Sequence, residues 1–203
     1  MITIIDYKTG NLGSIQNILK RIGEESIITS DKNEIANAKK LILPGVGAFD
    51  TGMANLNKLD LVDILNYKVL VEKTPVLGIC LGMQILSKNS EEGFLPGLGW
   101  INAETRRFKF IDTNKYKIPH MGWNQLDVVR DHPLVHDLVS GSYAYFVHSY
   151  AIYPEDQTIV LATTDYGGPF ASIVGCGNIC GLQFHPEKSQ AVGLKLLRNF
   201  LSL

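Results

Sequence analysis

The stretch TPVLGICLGMQILSK, residues 74–88, decides the fold. Pro75 to Ile79 is a short apolar run of strand type, and Leu81 to Lys88 continues with helical spacing. Between them, Gly78 and Gly82 bracket Cys80 as G-x-C-x-G. A strand that turns sharply into a helix, with a nucleophilic side chain at the apex, is the elbow of open α/β sheets, here with sulfur in place of oxygen. The glycines let the two backbones approach closely. The thiol is then exposed at the tip of the sheet, at a helix N-terminus whose partial positive charge favours thiolate. The N–H of Leu81 points to where an oxyanion would form. A buried apolar cysteine at a strand end is the plainer alternative; the strand-turn-helix setting and both glycines weigh for a reactive thiol.

Working outward, the first half alternates strands and helices. Ile2–Ile5, Ser26–Thr29 and Leu41–Leu43 are apolar runs, the last stopped by Pro44 and Gly45. Ser14–Ile22 places Ile15, Ile18, Leu19 and Ile22 on one helical face, with Gly23 as C-cap. Ser30 or Asp31 can cap a short helix, with Glu34 placed like the acid of a capping box, and Leu56–Val71 reads as helical. Near-continuous apolar strands alternating with helices predict an α/β fold of three layers, a central, mostly parallel sheet flanked by helices. Such a sheet binds ligands beyond the carboxyl ends of its strands, so the turns 6–13, 44–52 and 78–82 should converge. In the C-terminal half, Trp100–Phe110, Trp123–Val129, Tyr143–Tyr150, Ile159–Thr164, Ala171–Val174 and Ile179–Phe184 read as strands that extend the sheet as antiparallel hairpins. Leu194–Leu201 closes as an amphipathic helix. With no linker or repeat, residues 1–203 are expected to form one domain.

Composition excludes several classes. Lys plus Arg is 19 and Asp plus Glu is 20, so no basic excess exists to neutralise phosphates, and no nucleic-acid partner is expected. No apolar run approaches the roughly 18 residues of a membrane span, and the opening MITIIDYKTG lacks the features of a signal peptide. Three cysteines argue for a reducing, cytoplasmic setting rather than a disulfide framework.

His185-Pro186-Glu187 carries the second piece of chemistry. Pro186 biases His185 towards an extended backbone, in which residues i and i+2 share a side. Glu187 can then reach the imidazole, fix its tautomer and stabilise the imidazolium, as the third member of a catalytic triad does. Alone, H-P-E reads as a surface turn; beside an elbow cysteine it reads as chemistry. Pro44-Gly45-Val46-Gly47 follows a strand end, and an N–H from Val46 or Gly47 could complete an oxyanion hole with Leu81. Gln84, one helical turn after Cys80, can face the same pocket or solvent.

Three other features read as structural. His132 and His136 are four apart, but Pro133 and the missing glutamate favour a turn over zinc. Cys176 and Cys180 lack a second pair to complete a metal site. Gly10-Asn11-Leu12-Gly13 fits helix capping better than phosphate binding. No metal or cofactor is expected.

With these residues in place, the chain resembles the class I, triad-type glutamine amidotransferases, through GICLGMQ at 78–84 and HPE at 185–187. More closely it is similar to the glutaminase subunits of imidazole glycerol phosphate synthases. PGVGAF at 44–49, PHMGWN at 119–124, YFVHSY at 145–150 and FHPEKS at 184–189 carry that likeness along nearly the whole chain. The resemblance implies the class I amidotransferase-like fold and hydrolysis of L-glutamine to glutamate and ammonia. It also implies a heterodimer with a (β/α)8-barrel synthase subunit that takes the ammonia through a tunnel, giving imidazole glycerol phosphate and AICAR in histidine biosynthesis. It assigns Cys80 as nucleophile, His185 as base and acid, and Glu187 as orienter. Gly47, Gln84, Ser149 and Tyr150 would line the glutamine site, and Trp123, Tyr145 and Lys188 would face the synthase. Two enzymatic alternatives remain: a paralogous subunit feeding ammonia to a surface-polysaccharide sugar synthase, and a stand-alone gamma-glutamyl cysteine hydrolase. A non-catalytic binding module is disfavoured by the complete triad.

Overall fold

The computed structural model describes residues 1–112 and 114–203. Strands β1 (Ile2–Ile5), β2 (Ser26–Thr29), β3 (Lys40–Gly45) and β4 (Val76–Cys80) alternate with helices α1 (Leu12–Arg21), α2 (Lys32–Ala36), α3 (Phe49–Lys58) and α4 (Val62–Asn66). A wider turn of helix, Tyr67–Val71, follows α4, and α5 (Leu81–Gln84) follows β4. Then come β5 (Asn89–Ser90), β6 (Ala103–Arg107), β7 (His120–Val128), β8 (Ser142–His148), β9 (Tyr150–Pro154), β10 (Val160–Asp165), β11 (Pro169–Cys176) and β12 (Ile179–Leu182), and α6 (Gln190–Ser202) ends the order.

Nine strands form one sheet in the order β2-β1-β3-β4-β12-β11-β10-β7-β8. β2, β1, β3, β4 and β12 run parallel, and the rest pair antiparallel. Alternate side chains along the parallel strands feed two cores. Ile2, Ile4 and Ile42 pack with α1 and α6 through Ile15, Leu19, Leu196 and Phe200, while Ile5, Leu41 and Leu43 pack with α2 to α5 through Ile35, Phe49, Leu65 and Met83. That two-faced burial is why these strands read as unbroken apolar runs.

Helix ends follow local chemistry. Asn11 accepts the Ser14 N–H at the start of α1, and Asp31 accepts those of Asn33 and Glu34 at the start of α2. Gly23, just past α1, takes the left-handed conformation (φ 88°) that glycine supplies without strain.

Three sequence expectations are corrected. The helix read over Leu56–Val71 is broken, because Asp60 adopts φ 53° between α3 and α4. The helix read over Leu81–Lys88 stops at Gln84, because the next N–H groups leave the ladder: Leu86 and Ser87 donate three residues back to Met83 and Gln84, and Lys88 donates to the Ala103 carbonyl. Tertiary pairing there replaces the i to i−4 ladder. Finally, β6, within the strand read over Trp100–Phe110, does not extend the main sheet but joins β5 and β9, a strand not expected from the sequence, in a separate three-stranded one.

Candidate active site

The sheet order puts the two chemical segments side by side. β4 and β12 are parallel neighbours with Leu182 opposite Ile79, so the chain leaves both strands at the same edge, one into Cys80 and the other into Gln183 and His185. Cys80 has φ 55° and ψ −111°, a backbone conformation that costs a non-glycine residue of order 1–3 kcal/mol and persists where the surroundings enforce it. They do so through the two glycines. A Cβ on Gly78 would lie 2.6 Å from the Gly82 carbonyl oxygen, and one on Gly82 would lie 1.6 Å from that of Leu43. Because α5 has only four residues, its macrodipole is small, and what it offers is the local N–H of Leu81 rather than a long-helix field.

His185 is extended (φ −94°, ψ 101°), as Pro186 requires, but Pro186–Lys188 is a single 3₁₀ turn rather than more strand. That turn still brings Glu187 Oε1 to 2.8 Å from His185 Nδ1, and both side chains are buried. The His185 backbone is fixed from behind. Its N–H donates to the Tyr145 carbonyl (3.0 Å), and its carbonyl accepts from Ser189 Oγ (2.7 Å), which itself accepts the Tyr145 N–H (3.0 Å). Helix α6 presses on the same turn, since a Cβ at Gly193 would sit 1.8 Å from the Pro186 carbonyl oxygen. His185 Nε2 is buried without a hydrogen-bond partner among the described residues. Burial alone would lower the basicity of His185, but interaction with the Cys80 thiol and with Glu187 outweighs it and pushes the pKa up to about 9.

Cys80, Leu81, Val46, Gly47, Gln84, Ser149 and Tyr150 line one cavity of about 300 Å³ together with Glu92 and His148. His185 and Glu187 line a second, narrow cleft with Gly10, Asn11, Pro44, Gly45 and Ile79, and Val46 borders both it and the cavity of Cys80 and Leu81, so the turns after β1, β3 and β4 do converge. Gly47 needs its glycine for a φ of 109°. The Gln84 amide nitrogen donates to the Tyr150 carbonyl (2.9 Å) and to Gln183 Oε1 (3.2 Å). Trp123, Tyr145 and Lys188 form a separate cluster: the two rings meet edge to face at 6.0 Å, and the Lys188 ammonium stands 5.4 Å from the Tyr145 ring centre. Trp123 and Met121 are exposed beside them.

Sequence reading missed Gln183 and Glu92. Gln183 Nε2 lies 4.0 Å from Cys80 Sγ; its one signal was a polar residue inside the apolar run 182–184. Glu92 accepts the Phe49 N–H at the start of α3 (2.8 Å) and faces the cavity; it lies in an irregular loop without periodicity. Elsewhere, His132 Nδ1 accepts the Leu134 N–H in a turn, Cys176 and Cys180 are unpaired, and among the described residues no His/Cys/Asp/Glu group could hold a metal and no helix is long and apolar enough to cross a membrane.

Residues 3–203 match the family Glutamine amidotransferase class-I. A protein named imidazole glycerol phosphate synthase subunit HisH 2 from Methanococcus maripaludis is 55% identical over 99% of this chain and 98% of its own length. One of the same name from Pseudomonas aeruginosa is 46% identical over 100% of both chains. A crystal structure of a glutamine amidotransferase superposes over 99% of this chain and 97% of its own with a TM-score of 0.74 at 22% identity, a likeness of fold. The chain therefore belongs to the class I glutamine amidotransferase family, and within it to the HisH group of imidazole glycerol phosphate synthase subunits.

Proposed function

We propose that this chain is the glutaminase half of an imidazole glycerol phosphate synthase, working through Cys80, His185 and Glu187. The observation that carries the reading is the buried 2.8 Å contact between Glu187 and His185 Nδ1, which leaves Nε2 bare on the side where the Cys80 thiol acts. His185 holds the proton shared with the Cys80 thiol as an imidazolium, and the sulfur attacks the side-chain amide carbon of glutamine. The resulting oxyanion is held by the Leu81 N–H and by one from Val46 or Gly47. The imidazolium protonates the departing nitrogen as ammonia, leaving a glutamyl thioester. His185 then takes a proton from water, the hydroxyl adds to the thioester carbon, and glutamate leaves as the thiol reforms.

The cavity suits this substrate. Its Glu92 carboxylate is an acceptor for an α-ammonium, and Gln84, Ser149 and Tyr150 add polar contacts to the remaining end. The partner is a (β/α)8-barrel synthase subunit that docks on the patch of exposed Trp123 and Lys188 and half-buried Tyr145. Tyr145 bonds the His185 turn with its backbone, so docking bears directly on the acid–base residue. A stand-alone hydrolase would not need that patch. The Gly45–Val46–Gly47 loop serves as the gate: its peptide turns an N–H to the oxyanion only when the synthase carries its own ligand. The complex works in the cytoplasm, in keeping with three unpaired cysteines.

The test is glutamate release by the free chain and by its mixture with the barrel subunit and acceptor nucleotide. The rate should rise with partner and nucleotide and vanish in Cys80→Ala. Equal rates would remove the coupling; glutamate release by Cys80→Ala would remove the nucleophile.

A further inference from the structure

Two buried histidines outside the triad have no part in the chemistry above. His120 lies on β7 and His148 at the end of β8, facing one another across the antiparallel pair, and His148 borders the cavity that holds Cys80. We propose that His120 and His148 form a neutral hydrogen-bonded pair that positions the Tyr150 end of the glutamine cavity and ties it to Asn124, the neighbour of Trp123. His148 is thus a positioning residue, and the inference rests on the glutaminase reading.

The direction of every hydrogen in this line follows from one end. A carbonyl only accepts, so His148 Nδ1 donates to the Tyr150 oxygen over 2.8 Å. A neutral His148 then has a lone pair at Nε2, and His120 Nδ1 donates into it over 3.1 Å. That leaves His120 Nε2 as an acceptor, and Asn124 Nδ2 donates to it over 3.2 Å. The second hydrogen of that amide goes to the Asp165 carbonyl (2.9 Å), and Asn124 Oδ1 accepts the Gln125 N–H (2.8 Å). Each ring nitrogen is therefore used once, in one tautomer. A proton added to either ring would set the His120 Nε2–H against the Asn124 amide hydrogens.

The surroundings hold the pair neutral. The His120 ring stacks 4.0 Å from Tyr166 and 4.8 Å from Phe146, and His148 packs at 5.2 Å against both Phe108 and Phe170. Burial pushes His120 down to about 4 and His148 to about 3. Phenylalanine-rich packing of this kind would accept apolar rings at both positions, and burying imidazoles instead costs desolvation. What the imidazoles add is direction at the Tyr150 carbonyl. That same oxygen receives Gln84, which reaches Gln183, whose amide points at the Cys80 sulfur. The line thus runs from the strand carrying Trp123 to the edge of the nucleophile.

Since Tyr150 and Gln84 line the cavity assigned to glutamine, loosening them should act on KM more than on kcat. Losing one buried hydrogen bond corresponds to roughly tenfold. The experiment uses the full chain with its barrel subunit. His148→Phe and His120→Phe, which keep ring volume and lose the bonds, should raise the glutamine KM about tenfold with kcat nearly unchanged, whereas His120→Gln, which keeps a donor, should restore most of it. If volume alone mattered, His120→Phe would be neutral and His120→Gln harmful, and the proposal would fall. Long-range proton–nitrogen spectra of the unmodified chain give an independent reading. They should show His148 protonated at Nδ1 and bare at Nε2 at neutral pH, and the other tautomer or an imidazolium would overturn the inference whatever the variants do. An absence of Cys80-dependent glutamine hydrolysis in the unmodified complex would instead count against the glutaminase reading.

Discussion

Replacing Glu187 by glutamine tests whether the buried carboxylate acts through the proton on His185. In the folded chain that proton is held with a pKa of about 9 against an ordinary 6.5. A difference of about 2.5 units at about 1.36 kcal/mol each amounts to about 3 kcal/mol in favour of the imidazolium. Burial opposes this, so the stabilisation comes from Cys80 and Glu187 together. An opposite charge at hydrogen-bond distance moves a pKa by ~1–3 units, and Glu187→Gln should lower that of His185 accordingly. Because the native pKa is raised, the associated stability is fully present below pH 6.5, fades as the pH rises through about 9, and is absent above. The variant should therefore be most destabilised relative to the parent near pH 6, and the gap should shrink by about 1–4 kcal/mol by pH 9.5. Urea unfolding at the two pH values measures it, and proton NMR titration of His185 checks the cause. A gap of the same size at both pH values would refute the reasoning, since a carboxylate that only packed or bonded locally would give that result.

Gly82→Ala should be far worse than an ordinary glycine substitution, because its Cβ would lie 1.6 Å from the Leu43 carbonyl oxygen and force β3 away from β4. We expect a loss of about 1–3 kcal/mol or more, seen as a melting temperature lower by about 2–12 °C; an unchanged melting curve would contradict the close approach described for the elbow. Trp123→Ala should weaken binding of the barrel subunit at least about 30-fold, the loss typical of an aromatic hot spot, as measured by calorimetry, and full affinity would move the docking face elsewhere.

The parts of the fold visible in the sequence were those where local pattern and tertiary environment agree. Ile2–Ile5 and Leu41–Leu43 are buried on both faces, so their unbroken apolar runs had one reading. Cys80 was legible because its left-handed backbone needs glycines on either side, and His185 because proline fixes its entry. What stayed hidden depends on distant partners. Nothing near Gln84 says that Ala103, on a later strand, will take the Lys88 N–H out of the helical ladder. The split of β6 and β9 into their own sheet leaves no trace in an alternation that suits either sheet. Glu92 reaches the cavity from an irregular loop, anchored by Asp50, which accepts the N–H groups of Phe94 and Leu95. Gln183 acquires meaning only once β12 lies beside β4.

That adjacency has a consequence for how the enzyme comes into being. Cys80 and His185, the proposed nucleophile and base, lie about a hundred residues apart in the chain yet at the ends of neighbouring central strands, and β12 is flanked by β4 on one side and β11 on the other. Contacts of such long sequence separation are costly to close and form late. A nascent or half-collapsed chain holds the thiol without the imidazole, and so has no means of squandering glutamine. Maturation of the polypeptide and the onset of turnover should coincide, which makes enzymatic activity itself a sensitive clock for completed assembly of the sheet.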